Sequence, residues 1–181
     1  KTAYEIPKRD WSSDVCSSDR GNNTLRVSGV GNATGTVIAE LYEATPSADF
    51  ALTTPRLVNV SVLKDIGTGF TLGFVVSGNS SATVLIRAVG PGLAAVGVTS
   101  GTVRDPSLKL FAGETQVDDN DNWGGTEALT AAMRSVGAFA IPASSLDAAV
   151  LATLKPGAYS VRVSGGSETR GLIIEIGRAH V

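Results

Sequence analysis

Short runs in which apolar and polar residues alternate, cut by glycine turns every ten residues or so, constrain this chain most. In the run 57–63, Val58, Val60 and Val62 alternate with Asn59 and Ser61. In 70–77, Phe70, Leu72, Phe74 and Val76 fall on one side. Successive side chains of a strand point to opposite faces, so a period of two lays each apolar set against a core. The run 82–89 is almost continuously apolar, interrupted by Arg87, and Gly90-Pro91-Gly92 ends it. Segments 107–111 and 115–117 read as a hairpin, 146–154 as a strand of small residues, and 159–165 with 172–176 as a closing hairpin. One helix is expected, over 126–136. Thr126 can cap it, Leu129, Met133 and Val136 make a stripe at helical spacing, and Gly137 stops it. Many short strands with frequent turn signals predict an all-β sandwich or barrel.

The two ends have a different character. Residues 1–19 hold the only cysteine, Cys16, and one of the two tryptophans, Trp11, with no apolar periodicity. They resemble no targeting peptide, because no apolar stretch follows the basic residues. KTAYEI and DWSSDVCSSD at the start, and IGRAHV at the end, resemble the translation of a short-read sequencing adapter, although Arg20 stands where the adapter reads leucine. Residues 1–20 and 176–181 are therefore expected to be adapter-derived and to lie outside the fold, the native gene being cut at both ends.

Between them, residues 21–175 contain neither histidine nor cysteine, and carry 10 Lys and Arg against 13 Asp and Glu, a net −3. That mild acidity predicts no nucleic-acid partner. No apolar run approaches the ~20 residues of a membrane-spanning helix, so no membrane insertion is expected. The lack of cysteine fits an exported bacterial protein without disulfides and a cytosolic one equally.

An internal repeat organises the interior. Arg26-Val27-Ser28-Gly29 matches Arg162-Val163-Ser164-Gly165, and Glu40 matches Glu175. A repeat that long is a whole domain. The chain is thus expected to comprise the last hairpin of one module (21–43), a linker (44–55) and a complete second module (56–175).

The densest polar stretch is VDDNDNWGGT, 117–126. Asp118, Asp119 and Asp121 offer carboxylates, Asn120 and Asn122 offer amide oxygens, and Glu127 lies close in sequence. Calcium takes 6–8 such hard oxygen ligands, so this is a candidate calcium loop. It is not an EF-hand, since Trp123 occupies the sixth position and Leu129 the twelfth, counted from Asp118. The bland alternative is that Asp and Asn are good turn formers. Trp123 is a candidate platform for a sugar, or else a partly buried plug. Arg87 inside an apolar strand needs a partner if buried, and Asp105 is the expected one.

Signatures of catalysis fail. Gly67, Gly69 and Gly73 do not fit a dinucleotide-binding spacing, and no strand–helix pair surrounds them. Serine nucleophiles lack a histidine base between residues 21 and 175. The four sequon matches, at Asn22, Asn32, Asn59 and Asn79, would stay unused in a bacterium.

Taken in order, RLVNVSV, TVLIRAVGPGLAAVGV, DPSLKLF, DNDNWGG, VGAFAIP and LKPGAYSVRVSG resemble a tandem module found toward the C-termini of large secreted proteins of Verrucomicrobia-type bacteria. The likeness spans about residues 56–176. The pattern is also similar to pre-peptidase C-terminal domains, which implies a jelly-roll-like antiparallel β-sandwich, an extracellular or cell-surface location and no activity of its own. The expectation is a structural or adhesive module whose partners are neighbouring modules and surface polysaccharide. The alternative is a carbohydrate-binding module using Trp123 and the acidic stretch. No cofactor beyond calcium is expected.

Overall fold

The structure, a computed structural model, describes residues 59–64, 69–165 and 172–178. The chain divides between Leu57 and Val58, and all of these residues belong to the second unit. The first copy of the hairpin repeat, the linker and the N-terminal adapter-like stretch lie outside the described residues.

Among the described residues, eight strands form two sheets. They are β1 (Asn59–Lys64), β2 (Phe70–Val76), β3 (Ala82–Val89), β4 (Ser107–Ala112), β5 (Thr115–Asn120), β6 (Ala148–Leu154), β7 (Gly157–Ser164) and β8 (Leu172–Arg178). A single α-helix, α1 (Glu127–Ser135), separates β5 from β6, and a 3-10 helix, Pro91–Val96, follows β3. One sheet has the order β1-β8-β3-β6 and the other β2-β7-β4-β5, with every pairing antiparallel. The pairs β1·β8, β2·β7, β3·β6 and β4·β5 are those of one long hairpin folded at its middle. Rolling it up adds β3·β8 and β4·β7. That is a jelly roll, the eight-stranded double Greek key, so the described residues form an all-β antiparallel sandwich with one short α-helix.

The alternation read from the sequence is what closes the sandwich. Phe70, Leu72, Phe74 and Val76 alternate with exposed neighbours along β2. They meet Leu108 and Leu110 of β4 and Val161 and Val163 of β7 in one core with Val84, Ile86 and Ala88 of β3 and Ala148, Val150, Ala152 and Leu154 of β6. Phe74 stacks on Tyr159, centroids 5.6 Å apart. The Tyr159 hydroxyl donates to the Lys155 carbonyl at 2.8 Å, tying down the turn before β7.

The odd residues of β3 point the other way, into a second core. Leu85 and Val89 pack there with Ala149, Leu93, Trp123, Ile141 and the helix residues Ala132 and Met133. Strand β3 is thus buried on both faces, which is why its sequence is a continuous apolar run rather than an alternating one. The helix covers this outer face. Thr126 Oγ1 accepts from the Leu129 amide at its start. At its end Gly137, at φ +71°, donates to Arg134 O while Ala138 donates to Met133 O, a Schellman stop.

Two boundaries differ from expectation. Strand β5 runs through Asn120 instead of stopping at Val117, so the first half of the acidic stretch is an edge strand. Strand β8 runs to Arg178, with Asn59 opposite Gly177 and Val84 opposite Arg178. Ladder hydrogen bonds come from the main chain, which any residue but proline can supply, so the adapter-like composition of 176–178 does not interrupt pairing.

Candidate functional site

Of the polar residues singled out by sequence, Arg87 and Trp123 lie at the second core and Asp118 and Asp119 on edge strand β5 of the other sheet, and the structure sorts them by strand parity and burial. Asp118 and Asp119 are consecutive in β5, so they point to opposite faces. Asp119 Oδ1 accepts from Gln116 Nε2 at 3.1 Å, and Asp118 Oδ1 accepts from the Asp119 amide at 2.9 Å. The Asn120 amide oxygen accepts from the Ala149 N–H at 2.9 Å, bridging β5 to β6, while its Nδ2 donates to Asn122 O. Asp121 and Asn122 are exposed beyond the strand end. The five expected calcium ligands are therefore not brought together. Among the described residues no group of three or more histidine, cysteine or acidic side chains is placed to hold a metal.

Trp123 is 4% exposed. Its indole N–H donates to Pro142 O at 3.1 Å and to Ser145 Oγ at 3.2 Å, and its backbone N–H donates to Asp147 O at 2.8 Å. A stacking platform must offer a ring face to solvent. This ring lies in the second core with the helix residues Ala132 and Met133, so Trp123 is placed as a plug and offers no open ring face to solvent.

Arg87 is fully buried, which follows from its odd position in β3. Its guanidinium lies 4.5 Å from the centroid of the Phe139 ring and donates to Phe139 O at 2.7 Å. Burial pushes it down to about 10, against the opposing charge of Asp147. Asp105, the partner expected from sequence, is exposed just before β4. Asp147 is a carboxylate whose charge acts on Arg87.

Asp147 was not singled out by sequence reasoning, yet it is the polar centre of this region. It is fully buried. Its Oδ1 accepts from the Gly90 amide at 2.7 Å, and its Oδ2 accepts from the Gly92 amide at 2.9 Å and from Ser145 Oγ at 2.6 Å. The Gly90-Pro91-Gly92 turn is wrapped around this carboxylate. A Cβ on Gly92 would sit 2.6 Å from Asp147 Oδ2 and 2.5 Å from Ile141 Cγ2, so only glycine fits. The sequence signal was the unexplained pair of glycines flanking a proline: the first turn of a helix has free N–H groups that need an acceptor.

Chemically, this arrangement is a brace. Asp147, Arg87, Trp123 and Asn120 each engage the main chain of another segment.

The chain matches no known family and no curated protein. Among solved structures it is similar to the pre-peptidase C-terminal domain of a collagenase from Bacillus anthracis, known from a 1.0 Å crystal structure. The two share 12% identity over 67% of this chain and 89% of the other, with a TM-score of 0.39. The jelly-roll assignment above rests on this protein's own strand order and owes nothing to that likeness.

Proposed function

We propose that this chain carries a non-catalytic structural and adhesive module of a secreted or cell-surface bacterial protein, repeated in tandem along it. The observation that carries the reading is the use made of the polar side chains of the second core. Asp147, Arg87, Trp123 and Asn120 all terminate on backbone groups and hold loops to the sandwich. A catalytic group has to keep a lone pair or a proton directed at a substrate, and these do not. No helix among the described residues is long and apolar enough to cross a membrane.

The topology favours adhesion over a plain spacer. The first and last strands are antiparallel neighbours, with Asn59 of β1 opposite Gly177 of β8. Entry and exit of the module lie side by side. In an array such a module hangs from the chain by one edge, leaving its other sheet free to meet a surface. The test is turnover. Incubated with ester, glycoside and peptide substrates, the chain should give no more than the background rate. Turnover abolished by a single substitution would overturn the proposal.

A further inference from the structure

The sheet β2-β7-β4-β5 carries a groove of about 390 Å³ on its outer face. Its walls follow from register. Thr71 is opposite Arg162, Arg162 opposite Lys109, and Lys109 opposite Asp119, so these four residues make one row across all four strands. At ~4.8 Å per strand the row spans ~14 Å. All four side chains are exposed.

Three features shape the row. Strand β5 has a bulge where Leu110 pairs with Asp118 but Phe111 pairs with Gln116. The extra residue brings Gln116 onto the same face as Asp119, to which it donates at 3.1 Å. The Phe111 ring lies beneath Arg162, whose guanidinium carbon is 4.5 Å from the ring centroid, and Phe111 is consequently only 8% exposed. That stacking holds the guanidinium plane in place, which cuts the entropy lost when its fork takes a planar anion. At the end of the groove Ser164 and Ser107 share a hydrogen bond of 2.8 Å. Gly69, at φ +115°, lies where a Cβ would be 2.6 Å from Val163 O, which keeps that end clear of side-chain bulk.

We propose that this face binds an acidic polysaccharide, with Arg162 and Lys109 receiving the carboxylates of its uronate units and Thr71, Gln116 and Ser164 meeting its hydroxyls. The chemistry selects this occupant. An apolar peptide needs an open hydrophobic anchor pocket, whereas of the two rings lining this groove Phe111 is capped by Arg162 and Phe70 packs against the core. Single-stranded nucleic acid needs exposed aromatic faces and a longer basic track, whereas the chain as a whole carries −2. Two adjacent cations among hydroxyl and amide groups fit a sugar chain with spaced carboxylates. Asp119 at the β5 end keeps a carboxylate away from that edge and accepts hydroxyl donors there, so the acid groups lie toward β7.

The inference rests on the adhesive half of the proposed function, yet the two fail separately, since a module without this ligand is still non-catalytic. The test is calorimetric titration of the full chain with tetragalacturonate, with an uncharged tetraglucoside and a sulfated disaccharide alongside. Saturable binding of the uronate alone is expected, weakened about tenfold or more by Arg162→Gln and by Lys109→Gln, as loss of one charge-assisted contact implies. Lys109 is exposed, so K109Q keeps the fold even if R162Q loosens the Phe111 stack, and each variant's thermal melt checks this. Three results would each overturn the proposal: no saturable uronate binding at millimolar concentration, unchanged binding by K109Q, or equal binding of the neutral or sulfated sugar.

Discussion

Removing the Asp147 carboxylate tests whether the second core is braced as described. In Asp147→Ala the Gly90 and Gly92 amides lose their acceptor. A buried donor left unsatisfied costs about 1–3 kcal/mol, so the two together cost about 2–6 kcal/mol. The buried Arg87 also loses a charge that favours its protonated form, which adds to the cost in the same direction. A domain of this size is stable by about 5–15 kcal/mol, so the loss takes a large part of its stability. With a urea slope of about 2 kcal/mol/M, the midpoint should fall by about 1–3 M. Asp147→Asn preserves shape and one acceptor oxygen but turns an NH₂ toward a donor, so it should fall between the variant and the parent. The assay is urea unfolding followed by circular dichroism. A midpoint shift below about half a molar for D147A would refute the reasoning, since it would mean that water or local movement satisfies both amides without cost.

Gly92→Ala drives a Cβ against Asp147 and Ile141; in urea it should lose about 3 kcal/mol or more, against about 1 kcal/mol for Gly113→Ala, which has a positive φ but open space around it. Trp123→Phe removes the indole donor to Pro142 and Ser145 while keeping the ring, so a loss of about 1–3 kcal/mol is expected, and in a Trp11→Phe background the parent's Trp123 fluorescence should resist iodide quenching. Calcium at millimolar concentration should leave the melting temperature unmoved, and Asp119→Ala should change stability by less than about 0.5 kcal/mol; a saturating calcium-dependent rise would restore the acidic stretch as a metal site.

The fold was legible where a single physical rule dominates. Alternation in β2 and the continuous apolar run of β3 report how many of each strand's faces are covered, and the structure covers them accordingly. The helix was legible from Thr126, the Leu129–Met133–Val136 stripe and Gly137, because caps and stripes are local. Strand order was not, since it depends on which distant segments share a ladder. Nor was the extent of β5: Asp and Asn are poor strand formers, and only pairing with β4 makes Asp118–Asn120 extended.

The candidate site was less legible for a related reason. Density of polar residues along the chain is a weak guide, because a strand sends neighbours to opposite faces and the Asn120 oxygen accepts from a distant strand. The isolated residues did more. Asp147, alone between a serine turn and a small-residue strand, anchors two amides of one turn some 55 residues upstream. Arg162 and Lys109, 53 positions apart and unremarkable in a net-acidic sequence, become neighbours only through the β4·β7 register. Such pairs are invisible to any reading that scans along the chain, yet each could be sought once a hairpin register is assumed: outward positions of β4 and β7 are then enumerable, and two cations directly opposite each other stand out. Like charges opposite one another on a sheet are destabilising unless something lies between them. A fold that keeps them there, with one of them stacked on a ring, has a reason to receive an anion.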